Sequence, residues 1–383
     1  MQTPDAPNLF FHSPQQRVAL ARERFFDEVQ RPRGLVSDAV IASWERSLKH
    51  GLSPHQRPDF EPVNRAKAAR AVDRSQTLLL AASPECAQLE AALAGTRCRA
   101  MLTDAEGILV LASRCTTFGG PILEAASRVG VYLGEDNFGS TAPGIVIRTA
   151  EACTVDGGEH FFGMLGPMYC AAAPLRDHHG QLAGALNLSI EGQPFGFDAL
   201  ALVRLTALAI ENRLFAMQSV RHWLLRLQMA PQLLDSPLQG LLALQDDGRV
   251  VAMNAAARQI LQPVQDPATW HSEALLGASF GQLRDLLASG QPRPQRLPAG
   301  LQIWLQTGWA HRAVPLAEPP LVAAATPAAE ALTDDPPAGG SLRSVSDALI
   351  AETLRQHDGN ISAAARALGV SRGLLYRRLR PKA

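Results

Sequence analysis

The residues best equipped for chemistry in this chain of 383 residues crowd near one end. Ser371, Arg372, Gly373, Tyr376, Arg377, Arg378 and Arg380 fall close together. A guanidinium is a planar fork of donors that meets guanine O6 and N7, or a phosphate, through two parallel hydrogen bonds. Ser371 is a helix-cap type, and the helix it opens, Arg372 to Leu379, sets Leu375 and Leu379 on one side and Arg372, Tyr376 and Arg380 on another. A basic amphipathic helix alone is also the pattern of a solvated face. What precedes it decides. Ser362 caps a short helix, Ala363 to Ala367, whose small residues permit close packing, and Leu368-Gly369-Val370 forms a turn in which Gly369 can take positive φ. An earlier helix, Val345 to Gln356, stops at Asp358-Gly359-Asn360. This order is a helix-turn-helix, and the expected partner is double-stranded DNA, with the last helix in the major groove. Arg372 and Gly373 open that helix and stand first for base approach; Tyr376, Arg377, Arg378 and Arg380 stand for bases or phosphates.

A second reactive set is dispersed. The five cysteines, Cys86, Cys98, Cys115, Cys153 and Cys170, are odd in number and contain no C-x-x-C pair, which fits reduced thiols and neither a disulfide frame nor a structural zinc site. Cys153, His160 and Cys170 are candidates for lining a binding pocket or sensing a metal or an oxidant, although dispersed Cys and His residues are also ordinary core residues. The pair His178-His179 sits in a turn and is expected to be exposed, and two adjacent imidazoles do not converge on a metal without further ligands. No metal and no resident cofactor is expected. The only lysines are Lys49, Lys67 and Lys382, preceded by Leu48, Ala66 and Pro381. A phosphate-cradling P-loop requires Gly-Lys-Ser/Thr, so the sequence holds no such nucleotide site.

The elements that must position these residues follow from composition and periodicity. The 36 Lys and Arg balance 36 Asp and Glu. Along the chain the balance breaks, because Ser341 to Ala383 carries eight cations against three acidic residues, a net +5. From 46% hydrophobic residues, the chain can bury real cores, and its length calls for two or three modules. Met1 to Gln16 is polar and lacks a signal peptide's apolar region, and no apolar run approaches the ~18 residues of a membrane span. A cytoplasmic protein without membrane contact is expected.

The fold class expected is α+β and multidomain. Residues 1–74 form a helical N-terminal segment in which a helix from Gln16 to Gln30 breaks at Pro32 and a second opens at Ser37-Asp38, placing Val40, Ile41, Trp44 and Leu48 on one face. Residues 75–218 alternate helices, Leu78 to Leu93 and Phe197 to Phe215, with two hairpins, Ala100 to Ala112 and Tyr169 to Ile190. Residues 219–310 hold a smaller hairpin, Leu241 to Met253, a helix Ala255 to Leu261 capped by Asn254, a loop Gly290 to Gly300 and a strand Leu301 to Gln306. Residues 311–340 are an Ala/Pro-rich linker, and 341–383 are the all-α module described above.

The run from Gly359 to Leu379 closely resembles the Fis-type helix-turn-helix that ends many bacterial enhancer-binding proteins. Ile41, Ser43-Trp44, Arg46-Ser47, Gly51-Leu52 and Pro54 match the N-terminal pattern of the acetoin/glycerol-metabolism regulator group within that class. Leu102 to Gly107, Gly158 to Phe161 and Cys170 to Leu175 are similar to its GAF sensor domain, and Gly240 to Leu261 is similar to the PAS-like region that follows. The resemblance implies a ligand-responsive, sequence-specific transcriptional regulator, not an enzyme, that binds DNA as a homodimer and takes a small-molecule effector in the GAF-like domain. It departs from the group twice. The central sigma-54 ATPase domain of ~200 residues is replaced by the linker alone, which also opens the alternative of an interaction subunit acting on RNA polymerase or on an ATPase-bearing relative in trans. Gly139-Ser140-Thr141-Ala142-Pro143-Gly144 stands where the group has a Gly-Thr-Asn-Ala-Ile-Gly-like run, which bears on the conformation of the pocket loop. A thiol-based GAF enzyme is a further alternative, but no resolving Cys lies close to another.

Overall fold

Period-two alternation in the strands builds this molecule, because it sends each strand's side chains to two different cores. The computed structural model describes residues 13–113, 118–264 and 266–307. The chain divides into a unit reaching Pro319 and a second from Pro320 to Ala383. The DNA-facing candidates Ser371, Arg372, Gly373, Tyr376, Arg377, Arg378 and Arg380, like the linker and Cys115, lie outside the described residues.

The first part runs through α1 (Pro14–Arg22), α2 (Asp38–Lys49), α3 (Arg65–Arg74), α4 (Gln76–Ala92), β1 (Arg99–Asp104), β2 (Leu109–Ala112), α5 (Pro121–Ala126), α6 (Glu135–Phe138), α7 (Ala142–Thr149), β3 (Cys153–Asp156), β4 (Met168–Arg176), β5 (Leu182–Glu191) and α8 (Ala199–Gln218). Its sheet is antiparallel with order β2-β1-β5-β4-β3. Ala100, Leu102, Ala171, Ala173, Leu175, Leu186, Leu188 and Ile190 form one core with Leu78, Ala82 and Leu89 of α4 and Val203, Ile210 and Leu214 of α8. Met101, Cys170, Ala172 and Ala185 point the other way, into a core shared with Val18 of α1, Val40, Ile41 and Trp44 of α2, and the connections holding Phe138, Phe161 and Phe162. Both faces are therefore covered. The N-terminal helices complete the second core: Ser37 caps α2 through Val40 N at 3.3 Å, and Trp44 is fully buried.

The second part continues from α8 through β6 (Trp223–Gln228), β7 (Gly240–Leu244), β8 (Val250–Met253), α9 (Ala255–Leu261), α10 (Ser272–Leu276), α11 (Phe280–Leu286), β9 (Arg293–Arg296) and β10 (Gln302–Thr307). Its antiparallel sheet has the order β8-β7-β6-β10-β9. Phe215 near the end of α8 packs with Leu224, Leu241, Ala243 and Ala252 of that sheet. Asn254, the cap of α9, donates to Asn212 Oδ1 of α8 at 2.9 Å.

Several expectations change. The first helix stops at Arg22 and passes into a turn of π-helix at Glu23–Asp27, and Leu48 is 44% exposed because α2 rolls its face toward Ser43 and Ser47, which are buried instead. The strands β3, β6 and β9 were not expected. The last occupies part of what reads as a loop: Pro294 cannot donate to a ladder, yet an edge strand tolerates it. His178 is half-buried, not exposed, because its Nδ1 lies 2.8 Å from Gln218 Oε1.

Candidate functional site

On the α2-facing side of the first sheet, β5 presents Asn187 and Ser189 at alternate positions, both about 1% exposed. Register brings Met101 of β1 and Ala172 of β4 beside Asn187, and Cys170 of β4 beside Ser189. Met101, Cys170, Asn187 and Ser189 line one side of a pocket of about 30 Å³. Its remaining lining is mostly apolar, with Ile122, Leu133, Phe138, Leu165 and Met168, together with His160, Thr141 and Pro143. No Lys, Arg, Asp or Glu lines it among the described residues.

His160 and Cys170, two of the three sequence candidates, meet here. Cys153 does not line the cavity. It sits in the same core, opposite Ala172 in the β3–β4 ladder, with its Sγ 3.6 Å from Ala142 O. Burial pushes the Cys153 and Cys170 thiols up to about 12, so at neutral pH they are thiols, the inert form toward oxidants and metals. Cys170 Sγ contacts Ser189 Oγ at 3.1 Å. His160 is held neutral because burial lowers its pKa to about 4. Its Nδ1 lies 2.9 Å from Gly157 O, so Nδ1 carries the proton and Nε2 keeps a lone pair. That Nε2 and Asn187 Oδ1 are both buried with no hydrogen-bond partner among the described residues. No cluster of His, Cys, Asp or Glu suited to a metal ion occurs among them either.

The cavity loops are tied down by the N-terminal helices. Arg22 donates to Gly158 O at 2.9 Å, His160 O at 2.7 Å and Phe161 O at 3.1 Å. Trp44 Nε1 donates to Glu159 O at 2.8 Å. On the opposite side, buried Glu135 accepts from Arg46 Nε at 2.5 Å and Nη2 at 2.7 Å, and from Ser43 Oγ at 2.5 Å. The Ser-Trp-x-Arg pattern on α2 is thus a clamp on the loop holding His160 and on Glu135 at the start of α6. The run Gly139 to Gly144 takes an ordinary cap: Thr141 accepts from Gly144 N at 3.1 Å, Pro143 occupies the first turn of α7, and both residues face the cavity.

Asn187 and Ser189 were missed in the sequence. Their signal is two polar residues at alternate positions of an otherwise apolar strand, Leu186-Asn187-Leu188-Ser189-Ile190.

Residues 341–380 match the domain family described as bacterial regulatory protein, Fis family, and residues 14–202 match the MimR N-terminal domain. The chain is 32% identical over 283 residues to the acetoin catabolism regulatory protein of Cupriavidus necator, covering 69% of this chain and 41% of that protein. It is 25% identical over 270 residues to the propane 2-monooxygenase operon transcriptional activator MimR of Mycolicibacterium smegmatis, covering 68% and 43%. The acetoin dehydrogenase operon transcriptional activator AcoR of Bacillus subtilis is 24% identical over 182 residues, covering 46% and 29%. Among solved structures, the Escherichia coli DhaR(N)–DhaL complex aligns with a TM-score of 0.46 at 14% identity, over 71% of this chain and 99% of that chain. The chain spans well under half the length of these curated relatives, 41% of the first.

Proposed function

We propose that this homologue of the acetoin and MimR regulators, with their N-terminal domain and a Fis-type helix-turn-helix, is itself a ligand-responsive transcriptional regulator that binds specific DNA without an ATPase of its own. The observation that carries it is the Fis-family match at residues 341–380, within the segment 341–383 that carries a net +5. In this reading residues 75–218 are a GAF-like sensor whose effector enters the cavity at His160, Cys170, Asn187 and Ser189, and residues 219–310 are a PAS-like connector. The protein works in the cytoplasm as a homodimer, with Leu342, Val345 and Leu349 pairing beside the two reading heads and the recognition helices meeting half-sites one turn of DNA apart. An effector shifts activity only to the extent that it binds one arrangement of that dimer better than the other.

A second reading has its own support: the chain covers only 41–43% of its longer relatives, and only residues 308–340 lie between the end of β10 and the Fis-family match. Sensor pairing with a longer relative, or contact with RNA polymerase, would then deliver the effect in trans.

Selection of bound DNA from a random pool separates the two. Full-length protein is expected to enrich one sequence, and Arg372→Ala/Arg377→Ala to abolish the enrichment. Absence of any enriched site overturns direct regulation and favours the interaction subunit; enrichment that survives the double substitution removes these two arginines from the reading surface.

A further inference from the structure

We infer that Asn212 and Asn254 form a polar latch that makes the two sheets one cooperative body, so that a change in the first part reaches the second through α8. The latch rests on the geometry of that joint alone; its use as the route from sensor to connector rests on the regulator proposed above.

The helix is shared between two cores. Val203, Ala207, Ile210 and Leu214 recur at helical spacing and pack in the core that α8 makes with the first sheet. Phe215 and Ala216 stand on the other side of the helix and pack with Leu224, Leu241, Ala243 and Ala252 of the second sheet. One helix thus carries a buried face for each sheet, and only Ser219 to His222 lie between its end and β6. With so short a joint, the sheets turn independently only if the contact around Phe215 slides. Apolar contact is non-directional and does not by itself set one register.

Asn212 supplies the direction. It is buried and, three and four residues before Phe215 and Ala216, shares their side of α8. Asn254 Oδ1 accepts from Leu241 N and Ala257 N, both at 2.9 Å. Its Nδ2 therefore points the other way, where it donates to Asn212 Oδ1 and to Gln239 O, each at 2.9 Å. With its oxygen committed as the acceptor, Asn212 donates through Nδ2 to Pro237 O of the β6–β7 connection at 2.9 Å. The two amides have one arrangement that satisfies all five bonds. Reversing either amide sets oxygen against oxygen inside the joint. The first part also reaches α9 a second time: Arg258 lies one turn after Asn254 on the same face, and its Nη2 is 3.6 Å from the place a Cβ would take at Gly180, in the turn between β4 and β5.

Native-state hydrogen exchange on the full chain reads the coupling, because the slowest amides of a part exchange only when that part opens. In the parent, the slowest amides of both sheets are expected to report one common opening equilibrium, a comparison that needs no variant to fold. Arg46→Met then serves as an input, since it takes two donors from buried Glu135 in the first part. It is expected to speed the slowest amides of β1 and β5 at least about tenfold and those of β7 and β8 by the same factor. Asn254→Asp keeps the acceptor that caps α9, Asp and Asn being equal as caps, but sets an oxygen against Asn212 Oδ1. In that background the slowest amides of β7 and β8 are expected to exchange about tenfold faster and no longer to respond to Arg46→Met. Asn212→Ala leaves α9 and its cap unaltered, is expected to uncouple the sheets likewise, and carries the comparison should Asn254→Asp not fold. Asn212→Ala/Asn254→Asp removes the clash of oxygens, so its loss is expected to fall short of the sum of the two. Separate opening equilibria in the parent overturn the inference, as do a response to Arg46→Met that persists through both latch substitutions and losses that simply add. DNA binding by the same proteins, read by fluorescence anisotropy, keeps the two readings apart. Coupled sheets with no DNA binding leave the latch standing and sink the regulator; DNA binding with uncoupled sheets does the reverse.

Discussion

At the scale of single residues, His160 is the group whose chemistry burial controls most directly. Its pKa falls from 6.5 to about 4, so between those values the unfolded chain binds a proton that the folded chain refuses. Stability contributed by the neutral imidazole is therefore full above pH 6.5 and is lost as pH falls toward 4. The size of that loss is about 3 kcal/mol. Asp156 works in the opposite sense, since burial raises its carboxyl to about 6 and the folded chain holds its proton longer. The informative quantity is thus the difference between variant and parent. Denaturant unfolding at pH 7 and pH 4.5 should show His160→Gln losing less stability on acidification than the parent, by about 2–3 kcal/mol; equal losses would mean that His160 is hydrated. The same residue marks what sequence could offer. His160 and Cys170 stood out as types, whereas Asn187 and Ser189, which give the cavity its polarity, carried their signal only in alternation. Reading it required knowing that β5 is covered on both faces, a property of tertiary packing that no local window contains.

At the scale of elements, α2 shows why part of the fold was legible. Its cap at Ser37, its apolar spacing and its burial of Trp44 all follow from local pattern, and Asn254 at the start of α9 follows by the same logic. What α2 does with Arg46 and Ser43 does not. Their acceptor is Glu135, which is far away in sequence and stands on a short helix whose Glu-Asp-Asn-Phe sequence has no usable periodicity. The strands that escaped sequence reading share this origin: β3 has four residues, β9 contains a proline and two arginines, and β6 carries Arg226, buried only because Asp235 and Leu234 O receive it. The clamp has a measurable consequence. Arg46→Met strips Glu135 of two of its donors inside a site where its side chain is 6% exposed, and an orphaned buried carboxylate is costlier than a missing pair. The expected loss is about 3 kcal/mol, and Arg46→Met/Glu135→Gln should recover part of it, giving a non-additive cycle in urea unfolding. Additive losses would show that the two side chains do not act as a pair. Because the same helix holds Glu159 O through Trp44, the variant should also loosen the His160 loop, read as faster amide exchange at residues 157–161.

At the scale of the whole molecule, the balanced charge of the chain conceals a division of labour. The net +5 gathers in residues 341–383, and the body that surrounds the cavity compensates it. Charge arithmetic made this division readable from sequence, but the merging of α1 and α2 with the sheet's second core was not, since helices separated from a sheet by long connections give no local sign of where they dock. The division itself sets an electrostatic expectation. In the proposed dimer two such tips approach one duplex, and neutralising about eight phosphates would make log Kobs fall against log salt with a slope of about −7. Arginines that meet phosphates and those that meet bases then separate by measurement. Arg378→Ala is expected to make the slope shallower by about 2, because each protomer then leaves one phosphate to its counterions, and to weaken every DNA sequence alike. Arg372→Ala is expected to erase preference among sequences at one position of each half-site, with a mismatch cost of about 1–3 kcal/mol disappearing there while other positions keep theirs. Anisotropy titrations between low and physiological salt, on an enriched site and on a scrambled one, read both effects in one experiment. A slope indistinguishable from zero would remove the basic tip as the DNA contact and return the function to the sensor and its partner in trans.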